Sequence, residues 1–153
     1  MSKFLITAVG LLSIISCTTQ RHVSDSSQVH PVAQQSEYAQ HCGSCHLSEG
    51  QGVPGAFPPL DTRLGKWAET DRGREYLVKV VREGLIGKIQ VDEYSYAGAM
   101  PGLASQLSVQ QTAAILNYVM VSFSNSVPRF SEQQVRDLSD QPSAATIELR
   151  QQL

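Results

Sequence analysis

Cysteine is scarce in this sequence, and its three copies, Cys17, Cys42 and Cys45, cannot all pair with one another. An odd, low count excludes the disulfide framework that staples many small exported domains. Charge of one sign is lacking too. Twelve Lys and Arg stand against fourteen Asp and Glu, a formal net charge of −2. With no run of basic residues, nothing predicts a nucleic acid as partner. No internal repeat is visible, and the longest apolar run is too short to cross a bilayer, which takes about 20 residues. What is present is ordinary: 153 residues, 41% apolar and 17% charged. That suits one modest globular domain with ends, not a disordered or membrane-embedded chain.

The short apolar run, Phe4 to Ile15, follows Lys3 and suits the core of an export signal over residues 1–16. It closes in Ile14-Ile15-Ser16-Cys17, which resembles the bacterial lipobox. The resemblance implies lipidation of Cys17; the alternative is ordinary cleavage and a soluble mature protein. Two or more acyl chains anchor stably where one does not. Thr18 after the cysteine, in place of Asp, weakly favours the outer membrane. Residues 17–35, rich in Ser, Thr, Gln and His, read as a flexible tether. Its reach is roughly 60 Å extended and about 24 Å as a coil.

Beyond the tether the pattern is helical. A short helix is expected from Ser36, carrying Tyr38 towards Cys42. Gly50 to Pro59 reads as a loop, since Pro58-Pro59 cannot sit inside a helix. A second helix starts at Thr70 or Asp71, buries Tyr76, Leu77, Val80 and Val81, and stops at Gly84. Residues 85–106 look irregular. A third begins with a capping box, Ser108 and Gln111, and turns Ile115, Leu116, Val119 and Phe123 inward. A short pattern runs from Ser131 to Leu138, and the last dozen residues are weakly patterned. The resulting division is a haem-bearing unit over 36–126 and a C-terminal extension over 127–153, for the following reason.

Cys42-Gly43-Ser44-Cys45-His46 is the strongest signal in the chain. Two thiols three positions apart on a helical turn reach the two vinyl groups on one porphyrin edge, and the adjacent histidine faces the iron. A zinc site would want a second cysteine pair, and a thioredoxin-like site a βαβ pattern; neither is present. Met100 and Met120 are the candidates for the sixth ligand. Met120 falls on the apolar face of the third helix and reads as core. Met100 lies in Gly98-Ala99-Met100-Pro101-Gly102, where irregular backbone could cross the haem face. His/Met ligation fills both axial positions and raises the potential. The ring N–H of His46 needs an acceptor, and the Pro58 carbonyl is the candidate; otherwise the two prolines only end a loop. Trp67 and Tyr96 are each either a partner of the haem carboxylates or core aromatics. His22, His30 and His41 read as solvated.

Taken together these residues resemble the class I cytochromes c, small all-α monohaem proteins with helices wrapped around one covalent haem. The likeness runs from about Tyr38 to Phe123. It implies that the helices bearing Tyr38 and Tyr118 cross, that Pro58-Pro59-Leu60 supports the axial histidine, and that Met100-Pro101 supplies the second ligand. Gly52 to Leu60, Val80 to Leu85 and Tyr96 to Pro101 resemble a subgroup found beside quinoprotein dehydrogenases, copper nitrite reductases and terminal oxidases. Asp61-Thr62-Arg63 and Asp92-Glu93 depart from that pattern. The expectation is a one-electron carrier with one haem c, not an enzyme. It would sit on the periplasmic side of a bacterial membrane, between a donor and an acceptor such as a dehydrogenase, reductase or oxidase. The alternatives are a haem-bearing subunit of a larger complex, or a small haem enzyme or gas sensor.

Overall fold

A computed structural model describes residues 31–127, 130–142 and 144–153. The expected export signal, Cys17, His22 and His30 lie outside the described residues. The first described element is α1 (Pro31–His41), which takes in the last five residues assigned to the tether. Proline suits the opening turn of a helix, where its missing N–H is not needed. Val32 is exposed and Tyr38 fully buried, so the early part of α1 carries little apolar pattern that sequence could reveal.

A one-turn helix, α2 (Gly43–His46), follows α1 and carries the second cysteine and the histidine. Next come α3 (Thr62–Trp67), α4 (Asp71–Glu83) and α5 (Val109–Ser122). Each of these three starts on a side chain that accepts an orphan N–H: Asp61, Thr70 and Ser108. Ser108 and Gln111 form a reciprocal capping box. The expected crossing of the Tyr38 and Tyr118 helices is present. Their rings lie 5.4 Å apart, and Phe123 meets Tyr38 edge-on at 5.1 Å.

The expectation of an all-α fold needs correction. Among the described residues the segment after α4 forms two antiparallel strand pairs. β1 (Gly84–Ile86) pairs with β4 (Ala99–Pro101), setting Leu85 opposite Met100. β2 (Ile89–Val91) pairs with β3 (Tyr94–Tyr96). The hairpin turn between β2 and β3 places Asp92 at φ +51°, a left-handed position that Asp tolerates. The strands are three residues long, too short for alternation to stand out in the sequence.

The extension after residue 127 joins the same core. In α6 (Glu132–Asp140), Val135 is fully buried, and in α7 (Thr146–Gln151), Leu149 is buried against the helical cluster. Asn117 holds the start of α6 by donating to Phe130 O at 2.8 Å and accepting from Phe130 N at 3.0 Å. Buried Lys79 holds its end. The ammonium donates to Glu83 Oε1 at 2.7 Å, Ser139 O at 3.3 Å and Gln141 O at 3.2 Å. A cation on the last carbonyls of α6 also complements the helix dipole. The expectation of a weakly structured tail therefore gives way to a docked helix.

The core falls into two parts. The larger, helical cluster includes Tyr38, Leu77, Ile115 and Met120; the smaller gathers Leu85, Ile89, Val91 and Tyr96 on the strands. Residues of both line one cleft between them.

Candidate functional site

The turn from Cys42 to His46 is held from both sides. The N–H groups of Cys45 and His46 bond Cys42 O, and Cys42 N bonds Tyr38 O. Tyr38 then reaches past α2, its hydroxyl donating to Leu47 O at 2.6 Å. Burial holds that phenol above its usual range, with Cys42 adding to the effect. Leu47 itself sits at φ +63° and ψ 170°, backbone that favours glycine and costs about 1–3 kcal/mol. The strain falls directly after His46 and reverses the chain there, and the Tyr38 hydroxyl bonds the same residue.

The loop expected over Gly50 to Pro59 closes on itself. Leu60 N bonds Gly50 O at 2.7 Å, Gly52 N bonds His46 O at 3.0 Å, and Val53 and Phe57 exchange backbone bonds. This folds the Pro58 carbonyl onto His46, whose Nδ1 lies 2.9 Å from it. A carbonyl can only accept, so Nδ1 carries the hydrogen and Nε2 keeps a free lone pair. Burial pushes the imidazole below its ordinary pKa, and the bond to Pro58 opposes this without reversing it. The ring is therefore neutral at pH 7, the state that can ligate a metal.

Met100 reaches the same cleft from β4 rather than from irregular backbone. Its position is set by close backbone approaches. A Cβ at Gly84, at φ +85°, would stand 2.4 Å from Met100 O, and one at Gly102 would stand 2.6 Å from Glu83 C. Leu103 N and Ala104 N then bond Val81 O and Arg82 O at the end of α4. The thioether packs partly buried against the strand cluster.

Cys42, Cys45, His46, Pro58 and Met100 all line the cleft. Met120, expected in the core, is fully buried there and also meets the cleft floor. Trp67 and Tyr96 line it as well; Tyr96 is buried in the strand cluster, and Trp67 stacks edge-on against Tyr76 at 5.6 Å. His41 is not among the lining residues and lies 3.6 Å from Glu37 on α1. Burial, helped by Cys45, pushes the Cys42 thiol up to about 11, so as a free thiol it would stay protonated and unreactive.

Two cleft residues have no motif to announce them. Arg63 lies between Asp61 and Asp92, bonding Asp92 Oδ1 at 2.9 Å. The two departures from the family pattern thus meet in one ion-pair network. Arg150 comes from α7, its guanidinium 4.7 Å from the centroid of the Trp67 ring. The lining is otherwise largely apolar and includes no Asp or Glu. Two thiols on one turn, an imidazole with its ring nitrogen free, a thioether, apolar walls and two arginines match a porphyrin with two carboxylates. The donor set fits haem c.

A family model described as cytochrome c oxidase, cbb3-type, subunit III matches residues 33–119. Cytochrome c-552 of Thermus thermophilus is 43% identical over 86 residues, 56% of this chain and 64% of that protein. A second cytochrome c-552, from another strain of the same organism, is likewise 43% identical, over 57% of its own length. The cytochrome c subunit of a quinone alcohol dehydrogenase from Gluconacetobacter polyoxogenes is 34% identical over 92 residues, 60% of this chain but 19% of that subunit. The matched part of the chain thus spans less than two thirds of these relatives.

Crowding at the Pro58 carbonyl is testable. Gly52 and Gly55 both have positive φ, but a Cβ at Gly52 would lie 2.8 Å from Pro58 O, whereas one at Gly55 meets nothing within 4 Å. In the haem-loaded protein, Gly52→Ala should destabilise by at least about 1 kcal/mol more than Gly55→Ala in denaturant unfolding. Equal losses would mean that backbone strain alone is felt and that the carbonyl is not crowded.

Proposed function

Since the chain belongs to the class I monohaem cytochromes c, in the family described as cytochrome c oxidase, cbb3-type, subunit III, and so carries a covalent haem c, we propose that it is a one-electron carrier with His46 and Met100 as axial ligands. Cys42 and Cys45 form the thioethers, and the Pro58 carbonyl orients His46. The observation that carries this reading is the convergence of an imidazole with a free Nε2 and a thioether on one cleft from separate elements. An iron ligated on both faces cycles between Fe(III) and Fe(II) without binding substrate, which favours electron transfer over an enzyme or gas sensor. The donor and acceptor are redox proteins of the dehydrogenase, reductase or oxidase class. A permanent place in such a complex is the second reading, favoured by the relatives that are subunits of quinone alcohol dehydrogenase. Co-purification with an oxidase or dehydrogenase would favour that reading; isolation as a free monomer would favour the carrier.

The spectrum tests the ligand set. The oxidised haem-loaded protein should be low-spin with a weak far-red methionine-to-iron band, absent in Met100→Ala. A high-spin parent that binds carbon monoxide rapidly when reduced would mean an open iron and an enzyme or sensor.

The location proposed is the periplasmic side of a bacterial membrane, with a lipid on Cys17, the outer membrane being favoured. Among the described residues no helix is long and apolar enough to cross a membrane, and the lipobox-like Ile14-Ile15-Ser16-Cys17 supports an anchor. Cys17→Ala should then move the haem protein from the membrane fraction to the soluble fraction. An unchanged membrane fraction would contradict lipid anchoring.

A further inference from the structure

The family match ends at residue 119, yet α7 in the extension delivers a charged side chain to the cleft. The delivery is rigid. Lys79 fixes the carbonyls that end α6, Leu149 is buried in the helical core, and Ile147 packs on the strand cluster beside Gly87. Arg150 therefore arrives on a helix gripped on two sides, stacked over Trp67.

The two cleft arginines differ in what already holds them. Arg63 is ion-paired to both Asp61 and Asp92, so its charge is more than balanced. Arg150 has the Trp67 face and one bond to Gln90 O at 3.3 Å, but no acidic partner among the described residues. Its charge is felt inside the cleft, where it favours ionisation of the Tyr76 phenol against the burial that opposes it. A cation in a largely apolar cleft whose lining includes no carboxylate leaves charge and donors unspent.

We propose that Arg150 pairs with a haem carboxylate, so that the C-terminal extension is part of the cofactor site and helps set the reduction potential. Trp67 holds the guanidinium flat from below through the ring face, and Arg63 with its two aspartates contributes a polar but neutralised neighbour. A cation near the iron favours Fe(II), the less positive state. Removing it favours Fe(III) and lowers the potential. The proposal rests on the haem reading, whose failure would show separately as the absence of a low-spin haem spectrum in the unsubstituted protein.

The experiment is spectroelectrochemical titration of the full-length haem-loaded chain, with thermal unfolding measured alongside. Arg150→Gln should shift the ferric/ferrous equilibrium towards ferric by roughly three- to tenfold. Arg150→Lys should restore most of it. Arg136→Gln, which removes an exposed charge from α6, should leave the equilibrium within about twofold of the parent. Ile147→Ala keeps the charge and loosens the same helix. It should lower the unfolding midpoint while shifting the potential less than Arg150→Gln. An unchanged potential in Arg150→Gln would overturn the proposal. So would equal shifts in Arg150→Gln and Ile147→Ala, which would make the arginine a merely structural contact.

Discussion

The hydrogen bond from His46 Nδ1 to the Pro58 carbonyl is the contact on which the site depends. It links the end of the Cys42–His46 turn to a loop twelve residues later and decides which ring nitrogen is free. Proline suits the acceptor: Pro58 and Pro59 stiffen the backbone on both sides of the carbonyl. The loop's own backbone bonds, with Gly52 tucked against Pro58, keep the acceptor in place. A ligand so fixed loses little freedom on meeting a metal, and the ring cannot rotate away when the iron changes charge.

The second constraint is steric. The end of α4 and the strand bearing Met100 approach so closely that neither Gly84 nor Gly102 has room for a side chain. This crossing, with β1 paired to β4, makes Met100 a fixed side chain on a short strand. The cleft lies between a helical cluster and a strand cluster, so a bound porphyrin would join two apolar surfaces that hardly meet otherwise. A small chain buries limited apolar area by itself, and in this fold the cofactor supplies the missing middle.

Features that depend on neighbours in sequence were legible from sequence. The thiols and histidine sit within one turn, and the caps at Thr70, Ser108 and Ser131 lie beside the helices they start. The stop at Gly84 was equally local. Features that depend on distant pairing were not. The three-residue strands gain their register from α4 and the glycine crossing, not from alternation. α3 is too short to show a period. The seating of α7 rests on Leu149, Ile147 and the contact of Arg150 with Trp67, residues remote in sequence. Asp61-Thr62-Arg63 and Asp92-Glu93 looked like separate departures, but in three dimensions they form one network, in which Asp92 both makes the turn and holds Arg63.

The central claim is that His46 enters its site as one fixed tautomer, held by Pro58. The direct measurement is nuclear magnetic resonance of the reduced, diamagnetic haem-loaded protein, with histidine labelled in its ring nitrogens. The account predicts an Nδ1 proton that exchanges slowly with solvent and an Nε2 without hydrogen, shifted by the iron. A rapidly exchanging Nδ1 proton, or iron bound through Nδ1, would contradict it.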